Sequence, residues 1–96
     1  MSVPFAIRYD RVALAELKAL RGADRASITR RIREQLTHEP TTVTGLKKEI
    51  VRETGERVWQ LRVGEHRIFY DVDEARREVL VRRVRYKGRQ RTEDIL

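Results

Sequence analysis

The first apolar positions of the chain predict a short strand followed by a short helix. Apolar and β-forming residues alternate with others from Phe5 to Tyr9, and Asp10 offers a side-chain oxygen that can cap a following helix. From Val12 to Leu20 apolar residues recur at helical spacing, and Gly22 is in a position to end that helix. The chain therefore opens with a strand and a first helix.

A second helix is predicted between Asp24, which can cap it, and Leu36. Within this segment Ile28, Ile32 and Leu36 recur every four residues, while arginine and glutamate occupy the other faces. The periodicity stops after Leu36, where Pro40 lies among several threonines. Residues 37–44 are thus predicted to be a loop that returns the chain to a sheet.

The second half of the chain predicts consecutive strands separated by tight turns. Gly55 and Gly64 mark two of the turns. The strands are predicted at Lys48 to Arg52, Arg57 to Val63, Arg67 to Val72 and Glu78 to Tyr86. Turns this short make neighbouring strands antiparallel, so the pattern indicates a meander.

Strand periodicity predicts which side chains share a face of this sheet. Alternation directs Trp59, Leu61 and Val63 to one face and the side chains Val58, Gln60 and Arg62 to the other. Two consecutive helices can cover only one face, so we expect the opposite face to stay polar. The predicted class is α+β, with two N-terminal helices packed on one face of a mainly antiparallel, twisted sheet.

The length and charge of the chain limit the number of domains and the class of partner. The 96 residues suffice for one domain, which we assign to residues 1–96. The chain carries 22 Lys and Arg against 15 Asp and Glu, a formal charge of +7 that favours an anionic partner over mere solubility. There is no cysteine, no apolar run of roughly 18 residues and no signal-peptide segment near Met1. We expect a cytoplasmic protein that does not contact membranes.

The segment from Val58 to Asp73 carries a resemblance to a known superfamily. A strand ending in Leu-Arg-x-Gly, a tight turn, and a strand that opens with Arg67 before an apolar-aromatic-Tyr run resemble the RelE/ParE toxin superfamily. The paired helices before the sheet and the basic tail after it are similar as well, so the resemblance covers nearly the whole chain. It implies the RelE-like toxin fold, with a RelE-like member favoured over a ParE-like one because the helical pair is short.

A RelE-like identity implies ribosome-dependent cleavage of mRNA that inhibits translation, without a metal or organic cofactor. The implied partners are a cognate antitoxin, the ribosome and mRNA, and operator DNA reached through the antitoxin. We expect the antitoxin to cover Arg67 or to displace the tail after Arg85. Two alternatives stay open: a ParE-like toxin that poisons DNA gyrase without nuclease activity, and a degenerate member that only binds its antitoxin.

Four residues are candidates for the chemistry. Arg67 matches the arginine of the family at the start of the strand after the turn, and its guanidinium suits bidentate contact with phosphate; the alternative is an ion pair with Asp71 or Glu65. His66 could remove a proton or be an ordinary turn histidine. Tyr86 could stack on a base, donate a proton or close the core, and Lys87 belongs to the basic tail of the family.

Further cations are candidates for RNA binding. They are Arg62, Arg85, Arg89, Lys47 and Lys48, of which the last two could instead keep a strand edge soluble. The chain departs from active family members in two respects: Val58 and Gln60 occupy positions where lysines are common, and no tyrosine follows Lys87. Both departures weaken the expectation of rapid mRNA cleavage. Asp71, Asp73 and Glu74 are read as solvated acids at a strand end, so no metal site is predicted.

Overall fold

The computed structural model describes residues 3–89 and 91–96, which form a five-stranded sheet with helices on both of its faces. In chain order the elements are β1 (Ala6–Tyr9), α1 (Arg11–Lys18), α2 (Gly22–Leu36), β2 (Lys47–Val51), β3 (Arg57–Val63), β4 (His66–Asp73), β5 (Glu78–Tyr86) and α3 (Thr92–Ile95). Every predicted strand is present, with bounds within one residue of those expected.

The strand order across the sheet is β1-β5-β4-β3-β2. Strands β2 to β5 form the predicted antiparallel meander, and β1 pairs with β5 in parallel. The two helices between β1 and β2 therefore carry the chain from one edge of the sheet to the other. The mainly antiparallel α+β architecture is confirmed.

Two predicted helix ends were wrong. Helix α1 stops at Lys18, and Gly22 is the first residue of α2 rather than a helix stop. Arg21 occupies the N-cap position of α2, so Asp24 lies in its first turn instead of capping it. A carboxylate there still faces the positive end of the helix dipole, which explains why an acidic residue is favourable at this place.

The main core lies between the sheet and the first two helices. Leu61, Ile68 and Tyr70 from the central strands pack with the predicted α2 stripe, whose members are Ile28, Ile32 and Leu36. Trp59 and Val63 join this cluster, as strand alternation predicted. None of the helices in the described segments is long and apolar enough to cross a membrane.

The opposite face is not wholly polar, which corrects the expectation. Helix α3 folds back over it and buries Ile95 against Val58 and Phe69, with Ile50 and Leu96 at the margin. The apolar pair on β3 and β4 would otherwise be exposed, so burial of Ile95 stabilises the return of the C-terminal segment. The end of this face near the β3–β4 turn remains open and polar, and it holds the candidate site.

Candidate nucleic-acid interface

Three arginines lie side by side across the sheet. The strand register places Arg62 of β3 opposite Arg67 of β4, and Arg67 opposite Arg85 of β5. Like charges directly opposite each other on neighbouring strands destabilise a sheet. A row of this kind is favourable only when anions neutralise it, so it indicates an anion-binding surface.

The guanidinium of Arg67 is held in place at the centre of this row. Its Nη1 donates to the carbonyl oxygens of Gly64, at 2.8 Å, and His66, at 2.9 Å. Partial burial, and then the charge of Arg62, lower the pKa of Arg67, while Glu65 opposes the shift. The other two guanidinium nitrogens have no partner among the described residues, so they are free to bind an anion.

Neither ion pair considered for Arg67 is formed. Asp71 instead accepts a hydrogen bond from Arg82 at 2.7 Å. Glu65 affects Arg67 only as a neighbouring charge. The cation predicted to be central to the site is therefore not neutralised by either of these carboxylates.

Arg67 lies in a small cleft that we call the tail-side cleft, because Thr92 of α3 forms part of its wall. The cleft has a volume of about 270 Å³, and its polar lining includes Lys48, Gln60, Arg62, Arg67 and Lys87. Within residues 3–89 and 91–96, none of these four cations forms an ion pair. Four cations around one cleft create a strong positive potential.

Lys47 lines the same cleft, but its ammonium group is engaged elsewhere. The side chain is 3% exposed, and Nζ donates to the carbonyl oxygens of Gln35, at 3.0 Å, and Glu39, at 2.7 Å. Burial lowers the pKa of Lys47, and Glu39 partly offsets this effect. Lys47 thus ties the end of α2 to β2, and we leave it out of the proposed phosphate contacts.

Arg85 belongs to the arginine row but has an acidic neighbour. Its Nε lies 3.8 Å from Oε2 of Glu16 on α1, which also pairs with Arg83 at 3.1 Å. The remaining predicted cation of the tail, Arg89, is exposed in the turn after β5 and lines neither of the clefts described here. Both residues are less suited to a central role than Arg67.

The four candidate catalytic residues divide between two faces of the sheet. Arg67 and Lys87 line the tail-side cleft, whereas His66 and Tyr86 line a helix-side cleft of about 490 Å³ together with Asp24, Ser27 and Arg31 of α2. The rings of His66 and Tyr86 meet edge to face, with centroids 5.6 Å apart. Tyr86 is 62% exposed, so it does not close the core. Arg62 and Leu46 line both clefts, and Arg62 is the charged one of the two.

The acidic residues considered for a metal have other partners. Asp71 pairs with Arg82, and Oδ1 of Asp73 accepts a hydrogen bond from the backbone of Arg76 at 3.0 Å. In the part of the chain that the structure describes, no group of three or more His, Cys, Asp or Glu side chains could hold a metal ion.

Comparison with known families gives the chain an identity. A family described as the ParE toxin of the type II toxin-antitoxin system parDE matches residues 7–91. The chain belongs to this family. It is a type II toxin of the RelE/ParE superfamily, and the resemblance drawn from the strands around Arg67 is confirmed. No curated protein sequence matches the toxin.

Solved structures show that the toxin has the RelE fold. It is similar to the toxin-antitoxin complex RelBE2 from Mycobacterium tuberculosis, with 24% identity, a TM-score of 0.76 and coverage of 90% of this chain and 94% of the other. The RelE-RelB complex from Pyrococcus horikoshii OT3 matches with 17% identity, TM-score 0.66 and coverage of 88% and 97%. The RelBE complex from E. coli matches with 21% identity, TM-score 0.53 and coverage of 83% and 93%.

Two residues that organise the site were not predicted from the sequence to do so. Gln60 was predicted to lie on the face opposite the main core, but as an uncharged residue in place of a lysine and not as part of a site, although it lines the tail-side cleft. Glu16, which neutralises Arg83 and approaches Arg85, was not noted at all. Strand alternation gives the face on which Gln60 lies but not its role, whereas the contacts of Glu16 join residues far apart in sequence and have no local signal.

Proposed function

We propose that the toxin inhibits translation in the cytosol as a ribosome-dependent, metal-independent mRNA endonuclease, and that the tail-side cleft binds the scissile phosphate. The cluster of Lys48, Arg62, Arg67 and Lys87, without an ion pair among the described residues, carries this proposal. Arginine forks suit bidentate contacts with phosphate, and charge-assisted hydrogen bonds of this kind are strong.

The proposed reaction has three requirements. The ribose 2′-hydroxyl attacks the adjacent phosphate, so a proton must leave the hydroxyl, the phosphorane charge must be stabilised and the 5′ oxygen must be protonated. The free nitrogens of Arg67 stabilise the charge, and Lys87 supplies a proton to the leaving oxygen. Lys48 and Arg62 hold the flanking backbone.

Proton removal is the slow part of the proposed reaction, because the proton of the 2′-hydroxyl passes to solvent water rather than to a protein base. The ionisable side chains described in the tail-side cleft are cations, and His66 and Tyr86 line the other cleft. An mRNA would have to pass over the β3–β4 turn, where Arg62 reaches both sides, for these two rings to assist. We therefore expect slow cleavage that depends mainly on electrostatic stabilisation by Arg67.

We also propose a cognate antitoxin as partner, because the similar solved structures are toxin-antitoxin complexes. An acidic antitoxin segment would neutralise the tail-side cleft by covering Arg67, or it would displace α3 from Val58 and Phe69. The complex would bind operator DNA through the antitoxin. Either mode would block access of mRNA to the cleft.

Primer extension on a reporter mRNA in a purified translation system tests the nuclease proposal. Wild-type toxin should produce cuts only when ribosomes are present, and Arg67→Ala should lower the cleavage rate by about 100-fold or more, the usual cost of losing a transition-state donor. Arg76→Ala removes an equal charge from the β4–β5 turn at the opposite end of the sheet and should cleave like wild type. Intact mRNA with wild-type toxin would refute the proposal.

DNA gyrase is the second candidate target. The match to the ParE family and the separation of His66 and Tyr86 from Arg67 favour it. A supercoiling assay with purified gyrase decides between the two: inhibition together with intact mRNA would establish a gyrase-poisoning toxin. Activity in neither assay would leave a degenerate member that only binds its antitoxin.

A further inference from the structure

A buried acceptor without a partner lies in the tail-side cleft. Gln60 is 4% exposed, and its Oε1 accepts no hydrogen bond from any described residue. It is the one side-chain atom of the described residues left in this condition. Buried polar atoms are nearly always hydrogen-bonded, and an orphan one costs stability, so a functional reason is expected.

Gln60 lacks a hydrogen bond to Oε1 although several donors line the same cleft. The strand register places Lys48 of β2 directly opposite Gln60 on one side and the buried ring of Phe69 on the other. Arg62, Arg67 and Lys87 line the same cleft. The cleft therefore holds several donors, yet none of them satisfies Oε1, and a rotation of the Gln60 amide toward the cleft would offer this acceptor to a ligand.

A ligand that fits the cleft must combine two properties. It must be anionic toward the cations and must also carry a hydrogen-bond donor for Gln60. A carboxylate from an acidic peptide provides only acceptors, and it would bring its oxygens toward the carbonyl oxygen of Gln60. A ribonucleotide has a phosphate next to a 2′-hydroxyl, which donates and accepts, whereas a deoxyribonucleotide lacks the hydroxyl.

We infer that Gln60 is a specificity-determining residue whose Oε1 accepts a hydrogen bond from a ribose 2′-hydroxyl, so that the tail-side cleft binds RNA in preference to DNA. This inference rests on the proposed function, because it assigns the sugar next to the phosphate bound at Arg67. It adds a role to a residue that carries no charge and cannot itself transfer a proton at neutral pH. The hydrogen bond would also orient the hydroxyl beside the phosphate.

Fluorescence anisotropy with two labelled probes tests the inference without relying on cleavage. The probes are an oligouridylate and the deoxyoligouridylate of equal length, which differ only at the 2′ positions. Wild-type toxin should bind the ribose probe about three- to tenfold more tightly, the factor that one neutral hydrogen bond provides. Gln60→Met keeps the length of the side chain but removes the acceptor, and it should bind both probes equally.

Gln35→Met is the matched control, because it makes the same exchange on α2, outside the lining of the tail-side cleft. It should keep the preference of wild type for the ribose probe. The ratio of the two affinities is measured on one protein sample, so a partly unfolded variant gives the same ratio as a fully folded one. The comparison thus remains valid if Gln60→Met alters stability.

Three results would overturn the inference. Equal binding of both probes by wild type would show that nothing in the cleft recognises the 2′-hydroxyl, and a preference that persists in Gln60→Met would assign recognition to another group. Failure of both probes to bind would overturn the inference, because the cleft would then not recognise free RNA, whereas primer extension with ribosomes decides on the proposed nuclease reaction. The first two results leave the proposed function standing if Arg67→Ala still abolishes cleavage. Conversely, a Gln60-dependent preference with intact mRNA would refute only the nuclease reaction.

Discussion

Tyr70 and Gln60 occupy neighbouring strands but satisfy their polar atoms differently. The Tyr70 side chain is fully buried in the main core, and its hydroxyl donates to the carbonyl oxygen of Pro40 at 2.6 Å. Gln60 lies on the other face, and its Oε1 has no described partner. The hydroxyl of Tyr70 thus fixes the loop after α2 to β4, whereas Oε1 of Gln60 is buried without a partner among the described residues.

Tyr70→Phe should lower stability at neutral pH by about 1 to 2 kcal/mol, because the carbonyl of Pro40 loses its donor in a buried place. Burial raises the pKa of Tyr70 in the folded state. The unfolded chain therefore releases the Tyr70 proton first, at a pKa of about 10, and the contribution of Tyr70 to stability falls as pH rises above that value. The difference in the free energy of unfolding between wild type and Tyr70→Phe should therefore decrease in that pH range.

Urea denaturation of both proteins between neutral pH and pH values above 10 measures this difference. Tyr9, whose pKa burial also raises, and Lys47, whose pKa burial lowers, titrate in the same alkaline region. Both proteins retain these two groups, so their effects cancel in the comparison. Parallel curves for wild type and Tyr70→Phe across the whole range would contradict the prediction.

Side-chain placement could be predicted from the sequence where strand alternation governs it. Alternation correctly directed Arg62 and Gln60 away from the main core, and the structure places Arg67 directly opposite Arg62. The hydrogen bonds that bury Lys47 could not be predicted in this way, because they are made to carbonyls at the end of α2 and in the loop after it. Nor could alternation indicate that Gln60 lacks a partner.

At the scale of elements, helix α1 supplies a hydrogen-bond acceptor to the backbone of β5 beyond the point where β1 ends. The parallel pairing of β1 and β5 stops at Tyr9 and Val81. Beyond this point the carboxylate of Glu16 accepts a hydrogen bond from the backbone N–H of Val84 at 2.8 Å, and it also binds Arg83. A side chain of the helix thus replaces the missing strand as acceptor.

Glu16→Gln should destabilise the toxin by about 1 to 2 kcal/mol, because the amide loses the ion pair with Arg83 and keeps one acceptor oxygen in place of the two that bind Arg83 and Val84. The Glu16 side chain is 22% exposed, so solvent screens it less than a surface pair. Glu34→Gln is the control: Glu34 forms an exposed pair with Arg30 on α2, and its loss should cost no more than about 0.5 kcal/mol. Urea denaturation of both variants measures the difference, and equal effects would contradict the role given to Glu16.

Whole elements were predictable to the extent that their own residues specify them. The strands and the α2 stripe follow from periodicity, so their positions were right. Helix α3 has four residues and no apolar repeat, and it forms because Ile95 finds Val58 and Phe69 on a sheet that is distant in sequence. A contact of this kind cannot be inferred from a local pattern.

At the scale of the whole molecule, the distribution of charge has more bearing on function than the total of +7. Many arginines are paired with acids along the sheet and α2, including Arg30, Arg57, Arg82 and Arg83. The cations of the tail-side cleft lack such partners among the described residues. Binding of a polyanion should therefore be concentrated at one end of the sheet rather than spread over the surface.

The salt dependence of RNA binding distinguishes a local site from general attraction. If all four cations of the tail-side cleft contact phosphates, the logarithm of the binding constant should fall with the logarithm of salt concentration with a slope of about −3, since each contact to a single strand contributes about 0.7. Arg67→Ala should reduce the magnitude of this slope by about 0.7. Anisotropy titrations of the oligouridylate over a range of salt concentrations measure it.

Arg76→Ala separates this local effect from net charge, because it also removes one positive charge from the toxin. Arg76 lies in the turn after β4, and the eight residues of that strand separate it from the β3–β4 turn by about 25 Å. Charges that far apart are screened at physiological salt, where the Debye length is about 8 Å. The slope of Arg76→Ala should therefore equal that of wild type. If both variants lowered the slope equally, RNA would be bound by the overall positive charge, and the tail-side cleft would lose its special role.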